Sequence, residues 1–384
     1  MNIREKYDRH LAEMRKHLAE LDEQGIRVFK LSTTERQEFK RCRRRWDYSS
    51  FSRQGIEPKR PATALWFGTG IHYALAEYYE KELDPGTAFE KWANEGIEAI
   101  RESQKGLWDD QLKELEDIRQ LGVDMLDGYV TWASLADFKE GTGFKEVLLV
   151  EREFQVPIRD AEGNPLRFTD GAGQIWECHL VGRLDMIVQD FDGRLWVLDH
   201  KTSKDKLDPE ILIMDDQMTI YLWAAQQIFG VPFEGCYYNV LRKKVPRVPP
   251  VLKSGGLSQA KDIDTTYEVY MQAIEDNGLN PDDYHKILDI LQNKPNTFYQ
   301  REKVRRNQHE IAIAGALLVG EAVDMLNAPY IYPNPTWDCK WDCDYKELCL
   351  ATNRNDDVEW LREAMFQTRE PEEGSVYDRE STIE

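Results

Sequence analysis

The sequence lacks long hydrophobic segments: none of its 384 residues lies in a run of eighteen apolar residues. That absence excludes a transmembrane helix of ordinary length. The opening segment, MNIREKYDRHLAEMRKH, also lacks the apolar core of a secretory signal, so we expect a cytoplasmic protein with no membrane partner. Cysteine is scarce as well, with six residues, and disulfides are not expected in a cytosolic chain of this size.

Apolar residues still make up 41% of the chain and aromatic residues 11%, which excludes an intrinsically disordered protein. The length suffices for one large domain or two ordinary ones. A 3.6-residue apolar period near the N-terminus predicts a helix, and alternation from about 145 onward predicts strands. We therefore expect an α/β (α+β) fold with a central mixed β-sheet of about four to five strands flanked by helices.

The predicted elements divide the chain into five regions. They are an N-terminal amphipathic helix, a helical region, a strand-rich core, a second helical region and an acidic tail, at 1–29, 30–140, 141–245, 246–350 and 351–384. The first helix carries a short heptad stripe, which is too short to establish a coiled coil. A homo-oligomer therefore stays open as an alternative to a monomer.

Basic residues are outnumbered: 70 Asp and Glu against 50 Lys and Arg give a net charge of −20. A field of that sign argues against a protein that coats itself with nucleic acid. Local basic patches can still bind a phosphate backbone, because salt screens distant charges over about 10 Å. Such patches occur at 36–45, 242–247 and 301–306. The alternative for each patch is an ordinary solvated helix face.

The segment GRLDMIVQDFDGRLWVLDHKTS, residues 182–203, is typical of a β-hairpin with an acidic residue in each strand. Its Asp-Gly pair marks the turn. With a two-residue loop, Asp185 and Asp199 point to opposite faces of the sheet, since strand side chains alternate. With a three-residue loop or a bulge they face each other about 5 Å apart; Lys201 then shares their face and His200 points away.

Two carboxylates at that separation repel each other, and a divalent cation between them would resolve the conflict. Mg²⁺ or Mn²⁺ prefers such oxygen ligands. A lysine beside the cation can hold or deprotonate a water molecule, or stabilise a developing phosphate charge. This combination is typical of phosphodiester hydrolysis. The alternative is an exposed hairpin face that carries ordinary charges.

Asp185 and the tripeptide DHK at 199–201 resemble the signature of the PD-(D/E)XK nuclease superfamily. The surrounding sequence is similar to the RecB-like branch, which includes Cas4 and the nuclease domains of AddB and Dna2. Gln217 and Tyr221 match the QxxxY element of that branch, and one helical turn places both on the same face. His72, in FGTGIHYALAEYY, is similar in placement to the branch's metal-binding histidine.

The resemblance implies a role for each of these residues. The implied ligands of Mg²⁺ or Mn²⁺ are His72, Asp185, Asp199 and the backbone carbonyl of His200. Lys201 activates or positions the attacking water, while Gln217 and Tyr221 support the lysine and the substrate. A third carboxylate, Glu151 or Glu153, is a weaker candidate that would assist through water.

Three of the six cysteines lie within eleven residues, in CKWDCDYKELC, and packing alone does not explain that density. Thiolates so close together favour a soft metal, and a closed site needs a fourth ligand. The natural fourth ligand lies in the basic segment FKRCRRRW. The predicted cluster ligands are therefore Cys42, Cys339, Cys343 and Cys349.

In the RecB-like branch, one cysteine before the nuclease core and three after it hold a [4Fe-4S] cluster, and the same division occurs here. Three residues separate Cys339 from Cys343, whereas the usual first spacing is two, so Zn²⁺ stays open as an alternative. Either group would join the two ends of the chain around the sheet. It would also fix the arginines at 41–45, which we expect to meet the DNA backbone.

The resemblance implies a DNA exonuclease for recombination, repair or processing that leaves 5′-phosphate and 3′-hydroxyl ends. The free-standing size of the chain suggests a phage or prokaryotic source. Its expected partners are single-stranded DNA or DNA ends. Because the chain has no Walker A motif, any helicase or recombination motor is expected to be a separate partner. One alternative is a DNA-end-binding or assembly subunit in which cleavage is minor. Another is a zinc-stapled structural protein.

Overall fold

A computed structural model describes residues 2–59, 63–103, 109–138, 143–328 and 330–369 of the chain. Its α-helices are α1 (Ile3–Glu23), α2 (Thr33–Arg41), α3 (Arg43–Ser49), α4 (Thr63–Lys81), α5 (Pro85–Ser103), α6 (Asp109–Ala136), α7 (Pro209–Ile213), α8 (Asp216–Phe229), α9 (Tyr267–Asp276), α10 (His285–Asn293), α11 (Gln308–Leu326), α12 (Lys346–Arg354) and α13 (Val358–Met365). Its strands are β1 (Arg27–Ser32), β2 (Ile56–Pro58), β3 (Glu146–Pro157), β4 (Arg167–Thr169), β5 (Ile175–Gln189), β6 (Leu195–Ser203), β7 (Gly235–Arg242), β8 (Tyr299–Arg305) and β9 (Phe366–Thr368). Two short 3₁₀ turns cover Pro281–Tyr284 and Trp337–Lys340.

The central sheet is mixed, as predicted. Its order is β1-β5-β6-β7-β8, with β3 and β4 also paired to β5. β1 runs parallel to β5 and β6 parallel to β7, whereas the β5–β6, β7–β8, β3–β5 and β4–β5 pairs are antiparallel. β2 and β9 form a separate antiparallel pair. The sequence therefore predicted the α/β class correctly.

The strand count was too low, because seven strands form the central sheet within the described residues. The prediction missed β1 and β4. β1 lies between two helices, and its inward residue Leu31 is completely buried. β4 has only three residues, which is too short for a clear alternation pattern. Both missed strands pair with β5, at the end of that strand remote from the hairpin turn.

Helices cover both faces of the sheet. On one face α1, α8 and α11 pack over inward residues such as Leu180 and Val197. On the other face α4, α5 and α6 pack near β7 and β8, and a further cluster holds Trp196 and Leu198. Residue 197 thus faces one helical layer while 196 and 198 face the other, as strand alternation requires. The sheet therefore separates two hydrophobic cores.

Local capping fixes the helices that reach the hairpin. The Ser32 hydroxyl accepts a hydrogen bond from the N–H of Glu35 at the start of α2, and the Asp215 carboxylate accepts one from the N–H of Gln217 at the start of α8. Gly230 adopts a left-handed conformation (φ 59°) and ends α8, as its position in the sequence predicted.

The division into five regions stays a prediction. Residues 370–384, the end of the predicted acidic tail, lie outside the described residues, while 346–368 form α12, α13 and β9. None of the described helices combines the length and the apolar character that crossing a membrane requires.

Candidate active site

The hairpin between β5 and β6 has a three-residue loop. The backbone N–H of Asp190 donates to the carbonyl of Arg194 over 3.0 Å. The Asp190 carboxylate in turn accepts hydrogen bonds from the backbone N–H of Asp192 and of Arg194. Gly193 adopts φ +81°, a left-handed conformation that favours glycine. Of the two loop lengths that the sequence allowed, the structure has the longer one.

This loop sets the register of the two acidic residues. Met186 lies opposite Leu198, so the next position pairs Asp185 with Asp199. Their side chains consequently point to the same face of the sheet. Beyond Met186 and Leu198 the two strands no longer pair, while β6 continues beside β7. Asp185 and Asp199 therefore lie in the fork where β5 and β6 separate.

His72 projects into this fork from α4. Its Nδ1 lies 3.2 Å from Asp185 Oδ2 and 3.8 Å from Glu151 Oε1. Burial disfavours the charged imidazole, but the two carboxylates outweigh it and raise the pKa of His72 well above its ordinary value. Burial likewise favours the neutral acid at Asp185. The charge of His72 and the backbone N–H of His200, which donates over 2.7 Å, instead lower the pKa of Asp185 to about 2.

Glu151 is the third carboxylate of the fork. The register of β3 against β5 places it opposite Asp185, and its backbone has φ 45°, which is rare outside glycine. Such strain is typical of functional sites, where the surrounding fold maintains it. Glu153 instead pairs with Arg183 over 3.0 Å. Of the two glutamates that the sequence singled out, Glu151 is therefore the one that reaches His72 and Asp185.

Lys201 lies beside the second hairpin aspartate. Its Nζ is 2.9 Å from Asp199 Oδ2. Burial, with a contribution from the charge of Asp185, raises the pKa of Asp199 to about 6. Burial opposes the charge of the lysine as well, yet the Asp199 carboxylate outweighs it and raises the pKa of Lys201. The side chain of Lys201 is therefore an ammonium group at neutral pH.

The residues of the fork fit a divalent cation. Ligand atoms of His72, Glu151 and Asp185 all lie within 4.8 Å of one another. Glu151 Oε1 and Asp199 Oδ2 are buried, and the neighbouring cationic groups are His72 Nδ1 at 3.8 Å and Lys201 Nζ at 2.9 Å, respectively. Three carboxylates buried this close together are unfavourable unless cations neutralise their charge, and a divalent metal ion would do so. Three carboxylates and one imidazole form a donor set suited to Mg²⁺ or Mn²⁺.

The QxxxY residues lie on α8 next to the fork. The ring of Tyr221 packs edge-on against Phe154, with centroids 5.3 Å apart, and burial raises the pKa of its hydroxyl. Thr33 Oγ1 of α2 donates to that hydroxyl over 3.5 Å. A Cβ atom at Gly182 would come within 2.8 Å of Phe154 Cζ and within 3.0 Å of the Tyr221 oxygen. The close packing of Phe154 and Tyr221 on β5 therefore favours glycine at this position.

The side chain of His200 points to the opposite face, as strand alternation predicted. Its ring stacks on Tyr79 with centroids 6.0 Å apart, and Asn239 Nδ2 lies 2.9 Å from its Nδ1. Burial lowers the pKa of His200 to about 3, so the imidazole is neutral. The predicted use of its backbone carbonyl as a ligand stays a prediction. The backbone N–H of the same residue fixes Asp185.

A buried network supports His200, and the sequence reading did not find it. The guanidinium of Arg301 donates to Asp137 Oδ1 over 2.5 Å and to Asn239 Oδ1 over 3.1 Å. The hydroxyls of Tyr79 and Tyr129 lie within hydrogen-bond distance of the same guanidinium. Arg301 belongs to the basic segment at 301–306 that was a candidate DNA contact, yet it is only 7% exposed. Its position within the possible short strand at 296–304 was the available signal.

The cysteines predicted to bind a cluster come from the two ends of the chain and meet at one corner. They are Cys42, Cys339, Cys343 and Cys349, all partly buried free thiols. The N–H of Asn334 donates to the Cys42 sulfur over 3.4 Å, and Arg44 donates to the Cys349 sulfur over 3.6 Å. Burial and the neighbouring thiols Cys339 and Cys42 raise the pKa of Cys343. Within the described residues, no three of these sulfurs lie within 4.8 Å of one another.

The arginines around Cys42 bind the C-terminal segment of the same chain. Arg41 pairs with the Asp342 carboxylate over 2.6 Å, and Arg45 donates to the Asp342 carbonyl over 2.6 Å. Arg44 donates to Asn353 Oδ1 over 2.7 Å. The sequence suggested these side chains as DNA contacts. In the structure they join the N-terminal helices to the segment that carries the other three cysteines.

Comparison with known proteins gives the family. The sequence model described as the PD-(D/E)XK nuclease superfamily matches residues 30–350. Among solved structures, the chain is similar to the crystal structure of SSO0001, with 15% sequence identity, 91% of this chain and 94% of that chain covered, and a TM-score of 0.32. We draw no conclusion about fold or function from a TM-score of that size. No curated protein matches the chain. Because the family model covers most of its length, this chain belongs to the PD-(D/E)XK superfamily of metal-dependent nucleases.

Proposed function

We propose that this nuclease is a DNA exonuclease of the RecB/Cas4-like type that uses Mg²⁺ or Mn²⁺. The observation that carries the proposal is the convergence of His72, Asp185, Asp199 and Lys201 at the fork between β5 and β6. The QxxxY residues on α8 flank the same fork. The resemblance of these residues to the RecB-like branch supports this assignment over other branches of the superfamily.

In this proposal His72, Glu151, Asp185 and Asp199 hold the cation, with the backbone carbonyl of His200 as a further ligand. The cation would lower the pKa of a bound water and stabilise charge on the scissile phosphate. Lys201 is an ammonium group beside Asp199, because that carboxylate raises its pKa. We assign Lys201 to activating or positioning the attacking water and to stabilisation of phosphate charge.

Tyr221 and Gln217 have different roles in this proposal. Tyr221 is 9% exposed and Thr33 Oγ1 of α2 donates to its hydroxyl over 3.5 Å, so its main task is to hold α8 in place beside the fork. Gln217 is partly exposed and can present its amide to a DNA phosphate.

A cavity beside Lys201 supports single-stranded DNA or frayed ends as the substrate. It has a volume of about 480 Å³ and is lined in part by Thr202, Leu207, Ile211 and Met214. Ile211 and Met214 are 56% and 75% exposed and give this cavity an apolar surface. Apolar surfaces of this kind suit unstacked bases, while a paired duplex keeps its bases inside the helix. We propose that the terminal bases occupy this cavity.

We further propose that the four corner cysteines bind a [4Fe-4S] cluster, with Zn²⁺ as the alternative. The support is the division of one cysteine before the sheet and three after it, together with N–H donors directed at Cys42 and Cys349. Backbone and arginine donors to sulfur stabilise thiolate ligands. A purified protein with the cluster should be brown and show charge-transfer absorption in the visible range. A colourless protein that contains zinc would support the alternative.

The proposed activity is tested with purified protein, Mn²⁺ and end-labelled single-stranded DNA. We expect Lys201→Ala to lower the cleavage rate about 100-fold or more, since a charge-stabilising group in the active site is lost. Lys204→Ala, three residues away and exposed, is the matched control and should cleave normally. Removing the cation with a chelator should abolish cleavage.

Substrates with blocked ends test the exonuclease assignment. Blocking the 5′ or the 3′ terminus should prevent cleavage from that end, and circular single-stranded DNA should resist the enzyme. Cleavage of the circle would instead show an endonuclease. Tight binding of DNA ends without cleavage would favour the DNA-end-binding or assembly subunit. A separate helicase or recombination protein as partner also belongs to this proposal.

A further inference from the structure

A second group of metal-ligating side chains lies at the other end of β5. His17 from α1 meets Glu177 and His179 from β5, and ligand atoms of all three lie within 4.8 Å of one another. His179 and Asp185 are six residues apart on the strand, which places the group about 20 Å from the nuclease site. The mechanism proposed above does not use these residues.

Both imidazoles point to a single carboxylate oxygen. His17 Nε2 lies 2.5 Å and His179 Nε2 lies 2.9 Å from Glu177 Oε1. The other oxygen, Oε2, accepts a hydrogen bond from Arg167 Nε over 2.9 Å. Arg167 therefore fixes the orientation of the carboxylate and leaves Oε1 directed at the two rings. Three candidate ligands converge on one point from two separate elements.

Burial makes this arrangement unusual. The side chains of Glu177 and His179 are completely buried, whereas that of His17 is 28% exposed. Buried carboxylates and imidazoles are retained where they are paired or where they coordinate a metal. The partial exposure of His17 gives an ion an entry path and gives a water molecule access to a fourth coordination position.

A further side chain orients His179 in the way that metal-binding histidines require. Gln155 Nε2 lies 2.8 Å from His179 Nδ1. The oxygen and nitrogen of such an amide exchange positions on a half-turn. When the Gln155 oxygen lies next to Nδ1 of His179, the Nδ1–H group donates a hydrogen bond to it. The Nε2 atom of His179 then presents its lone pair toward Glu177 and His17. A metal-binding histidine almost always donates its second ring N–H to an acceptor of this kind.

We propose that His17, Glu177 and His179 bind Zn²⁺ or a similar divalent transition metal. Two imidazoles and one carboxylate form a ligand set typical of zinc, and Mg²⁺ prefers oxygen ligands alone. Tetrahedral zinc holds its ligand atoms about 3.3 Å apart, so the present 2.5 and 2.9 Å contacts must widen slightly. His17 is the least buried of the three ligands, so its side chain can shift to accommodate the ion. The metal would fasten α1 to β5.

A Co²⁺ titration of the metal-free full-length protein tests this site separately from the others. Cobalt bound tetrahedrally by nitrogen and oxygen gives visible bands without thiolate charge transfer, which distinguishes it from the cysteine corner. We expect these bands in the wild type and in His309→Ala, a control at an exposed histidine of α11 outside the ligand set. His17→Ala should lose them. His17→Gln, which keeps a hydrogen bond to Glu177 but is a poor ligand, should lose them as well.

Zinc titration supplies the quantitative readout. The wild type should bind one Zn²⁺ more than His17→Gln, and Gln155→Ala should weaken binding at this site about 10- to 100-fold because it disturbs the orienting contact. Zinc should raise the melting temperature of the wild type and of His309→Ala more than that of His17→Gln. Equal zinc stoichiometry and identical cobalt spectra in the wild type and His17→Gln would overturn the proposal, and the three side chains would then be a proton-sharing ion pair.

Discussion

Glu35 lowers the stability of the protein at neutral pH, and replacing it with glutamine should recover that stability. The side chain lies in α2 and is only 5% exposed. Its Oε1 accepts a hydrogen bond from the Ser50 hydroxyl, but Oε2 is buried and has no hydrogen-bond partner among the described residues. Burial is the largest effect and raises the pKa of Glu35 from 4.5 to about 7, although Ser50 and Arg369 act in the opposite direction.

The sign of the pH dependence follows from this shift. The unfolded carboxyl group releases its proton near pH 4.5, whereas the folded protein holds it up to about pH 7. The contribution of Glu35 to stability is therefore fully present below pH 4.5 and is lost as the pH rises to 7. A difference of 2.5 pKa units corresponds to about 3 kcal/mol of unfolding free energy. Glutamine has the same shape and does not ionise, so the loss disappears.

Urea unfolding of wild type and Glu35→Gln at pH 5 and pH 8 measures the effect. We expect the variant to gain about 2–3 kcal/mol relative to wild type on going from pH 5 to pH 8. Glu98→Gln changes an exposed glutamate on α5 and should show no such pH-dependent gain. An equal stability difference between Glu35→Gln and wild type at both pH values would refute the reasoning, because it would show that burial leaves the ionisation of Glu35 unchanged.

Three further predictions concern the fork and its support. Tyr221→Phe should keep its melting temperature but lower the nuclease rate up to about tenfold, because one hydrogen bond is lost while the ring packing stays. Gly182→Ala should lower the unfolding free energy by about 1–3 kcal/mol through overpacking in denaturant titrations, whereas Gly171→Ala, which has open space at its Cβ position, should not. Arg301→Leu should cost about 3–5 kcal/mol, because it leaves the buried Asp137 carboxylate without its charge partner. Restoration of most of that stability by a second change, Asp137→Leu, would show that the unpaired charge is the cause; no restoration would contradict it.

The hairpin shows what the sequence could and could not determine. Alternation located both strands, but an Asp-Gly turn is compatible with more than one loop length. The deciding contact comes from Asp190, whose side chain closes the loop from one residue before it. The same D-x-x-G pattern recurs at Asp160 and Asp170, where each carboxylate accepts the corresponding pair of backbone N–H groups. This repeated pattern, and not the Asp-Gly pair, was the signal that selected the register.

Charge patterns were a poor guide to exposure. The basic segments around 36–45 and 301–306 contain Arg36, Arg301 and Arg306, all of which are 7% exposed or less. Arg36 pairs with Asp216 and Glu321, and Arg306 donates to the backbone carbonyls of Leu212 and Ile213 in α7. These partners lie far away in the chain. The sequence alone does not show whether a cluster of basic residues forms a DNA-binding surface or joins distant segments of the chain, because that depends on tertiary contacts.

The position of His72 depends on the opposite face of the sheet. His72, Ala76 and Tyr79 are spaced four and three residues apart, so they share one face of α4. Ala76 and Tyr79 pack against the core that holds Trp196, and Tyr79 also stacks on His200 and hydrogen-bonds Tyr129. The network that keeps the ring of His200 neutral and fixed therefore also sets the helix face that delivers His72 to Asp185. Because the backbone N–H of His200 donates to that same aspartate, one buried network positions two of the groups that surround the proposed cation. Loss of the network should consequently reduce cleavage by more than the loss of stability alone explains.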